Sequence, residues 1–99
     1  EEVAVLYEGL LRYRPTVGVF VSRAAAVAEA RGADRGLELL DELPRSAARN
    51  YQPYWAVRAE LLKRANRNQE AGEAYRRAMG LTEDPAVRDF LQRSQAELN

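Results

Sequence analysis

The sequence predicts an all-α fold, and three observations lead to this prediction. The chain of 99 residues contains no Ile, 8 Val and 2 Thr, against 17 Ala, 12 Leu and 14 Arg. Ala, Leu, Arg and Glu favour helices, whereas β-branched residues favour strands. Apolar residues recur at spacings of three and four, and turn-forming residues divide the chain into helix-length segments. We therefore expect about six antiparallel helices in a single domain that spans residues 1–99.

The first two predicted helices have clear boundaries. Apolar residues at helical spacing from position 3 to position 11 form the first helix, which ends before Pro15. Thr16 is the predicted N-cap of the second helix, because its hydroxyl can accept a hydrogen bond from a free backbone N–H. Gly32 closes this helix, since glycine readily adopts the backbone conformation that ends one.

The third and fourth predicted helices are separated by a short polar stretch. Asp34 is the predicted cap of the third helix, which ends at Pro44. Residues 45–50 are expected to form a loop. The fourth helix starts near Asn50 and has Pro53 in its first turn, where a missing N–H does least harm.

The last two predicted helices follow residues that favour turns. A turn is expected at residues 66–68, and a fifth helix at residues 69–79. Asp84 and Pro85 then match the N-cap and first position of a sixth helix.

Composition and charge exclude several classes of function. The 15 Lys and Arg residues balance 15 Asp and Glu residues, and Cys and His are absent. The chain therefore lacks the usual general base and the commonest metal ligands, so we expect no enzyme, no metal and no cofactor. A net charge of zero argues against nucleic-acid binding. No apolar run approaches the ~20 residues of a membrane span, and the lack of Cys fits a reducing cytoplasm.

The sequence repeats itself with a period of 35 residues. Phe90 and Arg93 extend the repeat into a third copy. Each unit is predicted to form a helix pair that must stack on its neighbours to bury its apolar face. Residues of similar character align at nine positions: Phe20 with Trp55, Arg23 with Arg58, Ala24 with Ala59, Val27 with Leu62, Ala30 with Ala65, Gly36 with Ala71, Glu38 with Glu73, Leu40 with Tyr75 and Leu43 with Ala78.

These positions resemble the tetratricopeptide (TPR) signature, a helix–turn–helix of about 34 residues. The resemblance implies a TPR-like α-α superhelix in which the first helix of each pair lines a concave groove. Asn66 stands where this signature usually has glycine, and Arg23 and Arg58 stand where it has an aliphatic residue. The clearer copy consists of Trp55, Ala59, Leu62, Ala71, Tyr75 and Ala78, and the weaker copy of Phe20, Ala24, Val27, Gly36, Leu40 and Leu43.

A narrower resemblance concerns the residues around the two repeated arginines. Residues 22–28 and 58–64 are similar to runs in the C-terminal extension of one group of bacterial extracytoplasmic-function (ECF) sigma factors, and residues 73–81 and 85–91 look like its continuation. This resemblance implies a regulatory, protein-binding domain of a cytoplasmic RNA polymerase sigma factor, which does not itself read DNA. Its partner would be the sigma domains of its own chain or RNA polymerase.

An alternative is a TPR adaptor domain of an unrelated protein, such as a chaperone cofactor or an assembly factor. The chain begins directly in a helix without Met, so we expect it to be the C-terminal fragment of a longer chain. An exposed apolar patch of Val3, Leu6 and Leu10 would then allow the isolated fragment to dimerise.

The resemblance to TPR stacks also implies a site for a protein or peptide partner. The groove residues are those of the first helices that face neither the core nor the paired helix. They are Val21, Ala25, Ala28, Ala56, Glu60, Lys63, Arg88, Leu91 and Gln95.

The repeated arginines allow two interpretations. Arg23 with Glu38, and Arg58 with Glu73, are predicted to form structural ion pairs within each helix pair. Alternatively, the arginines contact a ligand in the groove. Trp55 is expected in the core, and the basic cluster of Lys63, Arg64, Arg67, Arg76 and Arg77 is expected on a solvated helix surface.

Overall fold

The computed structural model describes residues 16–98, and these form helices without any strand. The all-α prediction is therefore confirmed for this part of the chain. The predicted first helix and the proposed dimerisation patch of Val3, Leu6 and Leu10 lie outside the described residues. In chain order the helices are α1 (Val17–Arg31), α2 (Ala33–Asp41), α3 (Arg45–Ala48), α4 (Gln52–Arg64), α5 (Asn68–Gly80) and α6 (Pro85–Ala96).

Helix boundaries follow the predicted capping residues at three places. Thr16 Oγ1 accepts a hydrogen bond of 3.2 Å from the backbone N–H of Val19, at the start of α1. Asp84 Oδ1 accepts one of 2.9 Å from the N–H of Ala86, at the start of α6. Gly32 ends α1 with a φ of 100°, a backbone conformation that favours glycine.

The segment between α2 and α4 differs from the prediction. Residues 45–48 form the one-turn helix α3 rather than a loop. Pro44 precedes this helix with an extended backbone, and Ala48 is buried in the core. Burial of Ala48 explains why a polar stretch folds into a helical turn here. Asp34 lies in the first turn of α2 rather than at its N-cap, which is Gly32.

Consecutive long helices form antiparallel pairs. The turn between α4 and α5 contains Asn66 with a φ of 62°, a left-handed conformation that Asn tolerates better than most residues. This explains how Asn can occupy a tight turn in which glycine is common. In each pair, residues at similar distances before and after the turn contact each other, which shows that the two helices run antiparallel. Ala28 meets Gly36, Trp55 meets Arg77, and Gly72 meets Gln95.

Helices α1, α4 and α6 run in the same direction. The start of α1 lies beside the start of α4, where the Tyr51 hydroxyl approaches Gly18. The ends of these two helices are joined by an ion pair of 3.0 Å between Arg64 and Glu29. The alternation of antiparallel pairs gives α6 the same direction as α4. Lys63 and Glu97 pair at the C-terminal ends of these two helices.

Small side chains occupy most of the contacts between helices. The largest of the fully buried side chains are Leu40, Leu62, Tyr75 and Leu91. Small residues at a contact let helix backbones approach closely, so the core is dense where these small side chains meet. The small residues buried there are Ala24, Ala28, Gly36, Ala48, Ala59, Ala71, Gly72, Ala74 and Ala78.

Replacing Gly36 with alanine tests this close approach. A Cβ at this position would lie 2.7 Å from the Ala28 Cβ, 2.8 Å from a Leu61 methyl and 2.9 Å from the Ala24 carbonyl oxygen. We expect Gly36→Ala to lower the free energy of unfolding by about 1–3 kcal/mol, measured by urea denaturation.

Gly80→Ala is the matched control, since nothing lies within 4 Å of its added Cβ. Its stability should be unchanged or slightly higher, because alanine is the better helix former. Equal stability of the two variants would contradict the close packing of α1 on α2.

Candidate functional site

An apolar cleft of about 340 Å³ opens between α1, α4 and α6. Each of these three helices supplies residues to its walls, and Tyr75 of α5 reaches it from below. Only three of the lining side chains are charged. The residues are Ala25, Glu29, Ala56, Val57, Glu60, Leu61, Arg64, Tyr75, Phe90 and Leu91.

The base of the apolar cleft is fully buried and its edge is not. Leu61, Tyr75 and Leu91 are each at most 3% exposed. Burial raises the pKa of the Tyr75 phenol, which therefore stays neutral at physiological pH. Phe90 is 59% exposed and is the exposed large hydrophobic residue of the described chain. The cleft thus presents a preformed apolar surface with an unburied aromatic ring at its edge.

Ion pairs close one side of the apolar cleft. Arg64 bridges α1 and α4, with its Nη1 3.0 Å from Glu29 and its Nε 3.1 Å from Glu60. Hydrogen bonds to these two carboxylates raise the pKa of the Arg64 guanidinium. All three groups are solvent-exposed or partly so, and surface pairs of this kind contribute little to stability. Their effect is to hold three charges at the cleft edge in a fixed arrangement.

The structure places four of the nine predicted groove residues at this cleft: Ala25, Ala56, Glu60 and Leu91. The groove prediction is wrong for Val21 and Ala28, which lie in the core because their side of α1 faces other helices. Sequence reasoning missed Val57, Leu61 and Arg64, although their spacing of four and three places them on one helix face.

The other three predicted groove residues make contacts elsewhere. Lys63 pairs with Glu97, and this hydrogen bond raises the pKa of Lys63 and lowers that of Glu97. Arg88 donates to the Thr82 carbonyl, and Gln95 donates to the Gly72 carbonyl. These three side chains therefore link secondary-structure elements to one another and do not line the cleft.

The structure pairs Arg58 of one predicted ion pair, and Glu38 of the other, with different residues. Arg58 is 19% exposed and pairs with Asp41, with Nη1 and Oδ1 2.9 Å apart. Asp41 ends α2, so this pair joins neighbouring repeats rather than the two helices of one repeat. Glu38 pairs instead with Arg35, three residues earlier on the same helix.

A second cleft, which we call the arginine cleft, has a volume of about 740 Å³ and lies between α3, α4, α5 and the end of α2. Its side chains include five arginines and three carboxylates among apolar groups. They are Asp41, Leu43, Arg45, Ala48, Arg49, Tyr54, Trp55, Arg58, Leu62, Glu70, Glu73, Ala74, Arg76 and Arg77.

Trp55 lines the arginine cleft and is only half-buried, although the sequence predicted it in the core. Its indole Nε1–H donates to the Arg49 carbonyl at 3.1 Å. The Arg77 guanidinium lies over its ring, 4.7 Å from the centroid, and Tyr54 packs edge-on against it at 5.0 Å. Tyr54 takes the buried position instead.

Within residues 16–98, no group of acidic side chains is arranged to hold a metal ion. The same part of the chain has no helix with the length and apolar character needed to cross a bilayer.

Comparison with known proteins gives one informative relationship. The chain is 30% identical over 92 residues to an uncharacterized protein of Rhizobium meliloti (strain 1021). The match covers 93% of this chain and 22% of that relative, so the chain spans about a fifth of the relative's length. No protein-family model matches the chain, and no solved structure matches it significantly.

The Arg58–Asp41 pair can be tested with a double-mutant cycle. We expect Arg58→Ala and Asp41→Ala to show a coupling energy of about 0.2–1 kcal/mol in urea unfolding, because the pair is only partly buried. The matched cycle with Glu73→Ala should show coupling near zero. Stronger coupling to Glu73 than to Asp41 would contradict the observed pairing.

Proposed function

We propose that this chain is a TPR-like protein-interaction domain and part of the C-terminal extension of an ECF-type RNA polymerase sigma factor. The parent protein would act in transcription initiation in the cytoplasm. This domain would bind protein rather than promoter DNA, and it would catalyse no reaction. Its partner would be the sigma domains of its own chain or RNA polymerase.

The arrangement of the helices supports the TPR-like part of the proposal. The residues of the Glu29–Arg64 pair are 35 positions apart, and those of the Lys63–Glu97 pair are 34 apart. Equivalent helices therefore meet at intervals of one repeat, as expected when helix pairs stack side by side. The close contact of Gly36 with Ala28 also matches the small residues that the repeat places between paired helices.

The apolar cleft is the observation that favours protein binding over other functions. In stacked helix pairs a groove between the first helices is a natural binding surface, and α1, α4 and α6 form such a groove here. The exposed Phe90 ring and the half-buried Ala25, Ala56 and Val57 offer contact area to an apolar segment. The apolar face of an amphipathic helix would fit this surface, with its polar side chains near Arg64 and Glu60.

The sigma-factor part of the proposal rests on the resemblance of residues 22–28 and 58–64. These runs lie in α1 and α4, two of the three helices that form the walls of the apolar cleft. The Rhizobium meliloti relative is more than four times as long as the matched region, which is compatible with a domain that serves a larger protein.

The proposal predicts that the natural protein containing this chain binds core RNA polymerase and directs transcription. In that protein, Ala56→Glu would place a charge in the apolar cleft. Burying an unpaired charge against an apolar partner is unfavourable, so this variant should bind its partner more weakly. Transcript yield at limiting protein should then change by about tenfold or more. In vitro transcription with purified core enzyme measures this effect.

Ala86→Glu is the control, because Ala86 is exposed in the first turn of α6, where an acidic residue is well tolerated. It should leave transcription unchanged. Failure of the natural protein to bind core polymerase would contradict the sigma-factor proposal and favour a TPR adaptor. Equal transcription by the Ala56→Glu variant would contradict the role of the cleft.

A further inference from the structure

We propose that the arginine cleft is a second docking site, and that it binds an acidic peptide segment of a partner protein. The site is separate from the apolar cleft, because the two clefts lie on roughly opposite faces of α4. From α4, Tyr54, Trp55, Arg58 and Leu62 line the arginine cleft, whereas Ala56, Val57, Glu60, Leu61 and Arg64 line the apolar cleft.

The arginine cleft keeps an excess of positive charge after its ion pairs are counted. The Asp41 carboxylate is paired with Arg58. The Glu70 carboxylate accepts two hydrogen bonds, of 2.8 and 2.9 Å, from Arg67. Glu73 is the remaining carboxylate of the lining. Two of the three acidic groups are thus neutralised by neighbouring arginines.

Four arginines remain with their charge available to a ligand. Arg45, Arg49 and Arg76 form no ion pair within the described residues, and Arg77 lies over the Trp55 ring. Against Glu73 alone, these four leave a clear excess of positive charge, although the chain as a whole is neutral. The planar guanidinium binds carboxylates through two parallel hydrogen bonds, so acidic side chains are suitable ligands.

Trp55 holds the two walls of the arginine cleft in position. Its Nε1–H binds the carbonyl of Arg49 on the α3 side, and its ring face contacts Arg77 on the α5 side. Arginines therefore stand on both sides of a fixed aromatic group. An extended acidic segment could place carboxylates on both walls, with an apolar side chain over the half-buried Leu43 between them.

The same geometry disfavours nucleic acid as the ligand. Single-stranded nucleic acid is usually held by aromatic rings that stack on its bases. The Trp55 ring already has Arg77 on one face and Tyr54 at its side, and it is the sole tryptophan of the chain. In the arginine cleft, one face of the tryptophan ring is thus already occupied by a cation of the chain itself.

The test uses the full 99-residue chain and a short fluorescein-labelled peptide of glutamates and leucines. We expect binding by fluorescence anisotropy, together with a change in Trp55 emission on addition of the unlabelled peptide. A peptide of lysines and leucines should not bind. The variant R45E/R76E should weaken binding of the acidic peptide by at least about tenfold, because it reverses a charge on each wall.

The control is R93E, which reverses an arginine that pairs with Asp89 on α6 and does not line the cleft. It should bind the acidic peptide within about twofold of the original chain. If R45E/R76E does not fold by circular dichroism, R45Q/R76Q replaces it, with the same direction of effect.

Four results would overturn the proposal. The first is no binding of the acidic peptide, and the second is binding that R45E/R76E leaves unchanged. The third is an equal loss in R93E, which would indicate a general charge effect. The fourth is tighter binding of an oligothymidylate than of the acidic peptide, which would identify the cleft as a nucleic-acid surface.

Discussion

Close contact between small side chains is the constraint on which the rest of this structure depends. Gly36 lies against Ala28 and the Ala24 carbonyl with no room for a further carbon atom. Buried alanines occupy equivalent contacts between α4 and α5. Because such residues bury little area each, stability has to come from many close contacts and from a few large residues such as Leu40, Leu62 and Tyr75.

This packing also explains why the molecule has two clefts. Helix α4 lies at the centre and contacts α1, α2 and α5. Its small and buried residues face these neighbours, while its remaining two faces carry larger side chains that no helix of residues 16–98 covers completely. One face is apolar and lies beside Phe90, and the other carries Trp55 and Arg58. The arrangement of the helices thus yields two surfaces of different chemistry on one helix.

Local signals in the sequence predicted the helices well. Thr16, Gly32 and Asp84 act through hydrogen bonds or backbone freedom that depend on near neighbours alone, so their roles follow from residue type. The α3 turn was not predicted, because burial of Ala48 depends on contacts distant in sequence. The repeat predicted which residues are small at helix contacts, and Gly36 confirms this.

Side-chain partners were predicted poorly, since they depend on how neighbouring repeats are placed. Arg58 binds Asp41 of the preceding repeat rather than Glu73 of its own, and spacing within one repeat could not reveal this. Tyr54 takes the buried position that was predicted for Trp55, and this difference has a similar cause. A rotation of α4 by one residue, about 100°, decides which ring enters the core. The net charge that the arginine cleft offers to a ligand likewise depends on which of its carboxylates already form ion pairs.

Helices α1, α4 and α6 run side by side, and the ion pairs between them join residues about 35 positions apart. Cysteine cross-linking measures this arrangement, because the chain has no Cys of its own. Two double variants, Glu29→Cys with Arg64→Cys and Lys63→Cys with Glu97→Cys, place thiols where the ion pairs now lie. With a short bifunctional maleimide, we expect efficient intramolecular cross-linking in both variants, with single-cysteine variants as controls for links between molecules. Failure of either variant to cross-link while folded would contradict the side-by-side arrangement of the three helices.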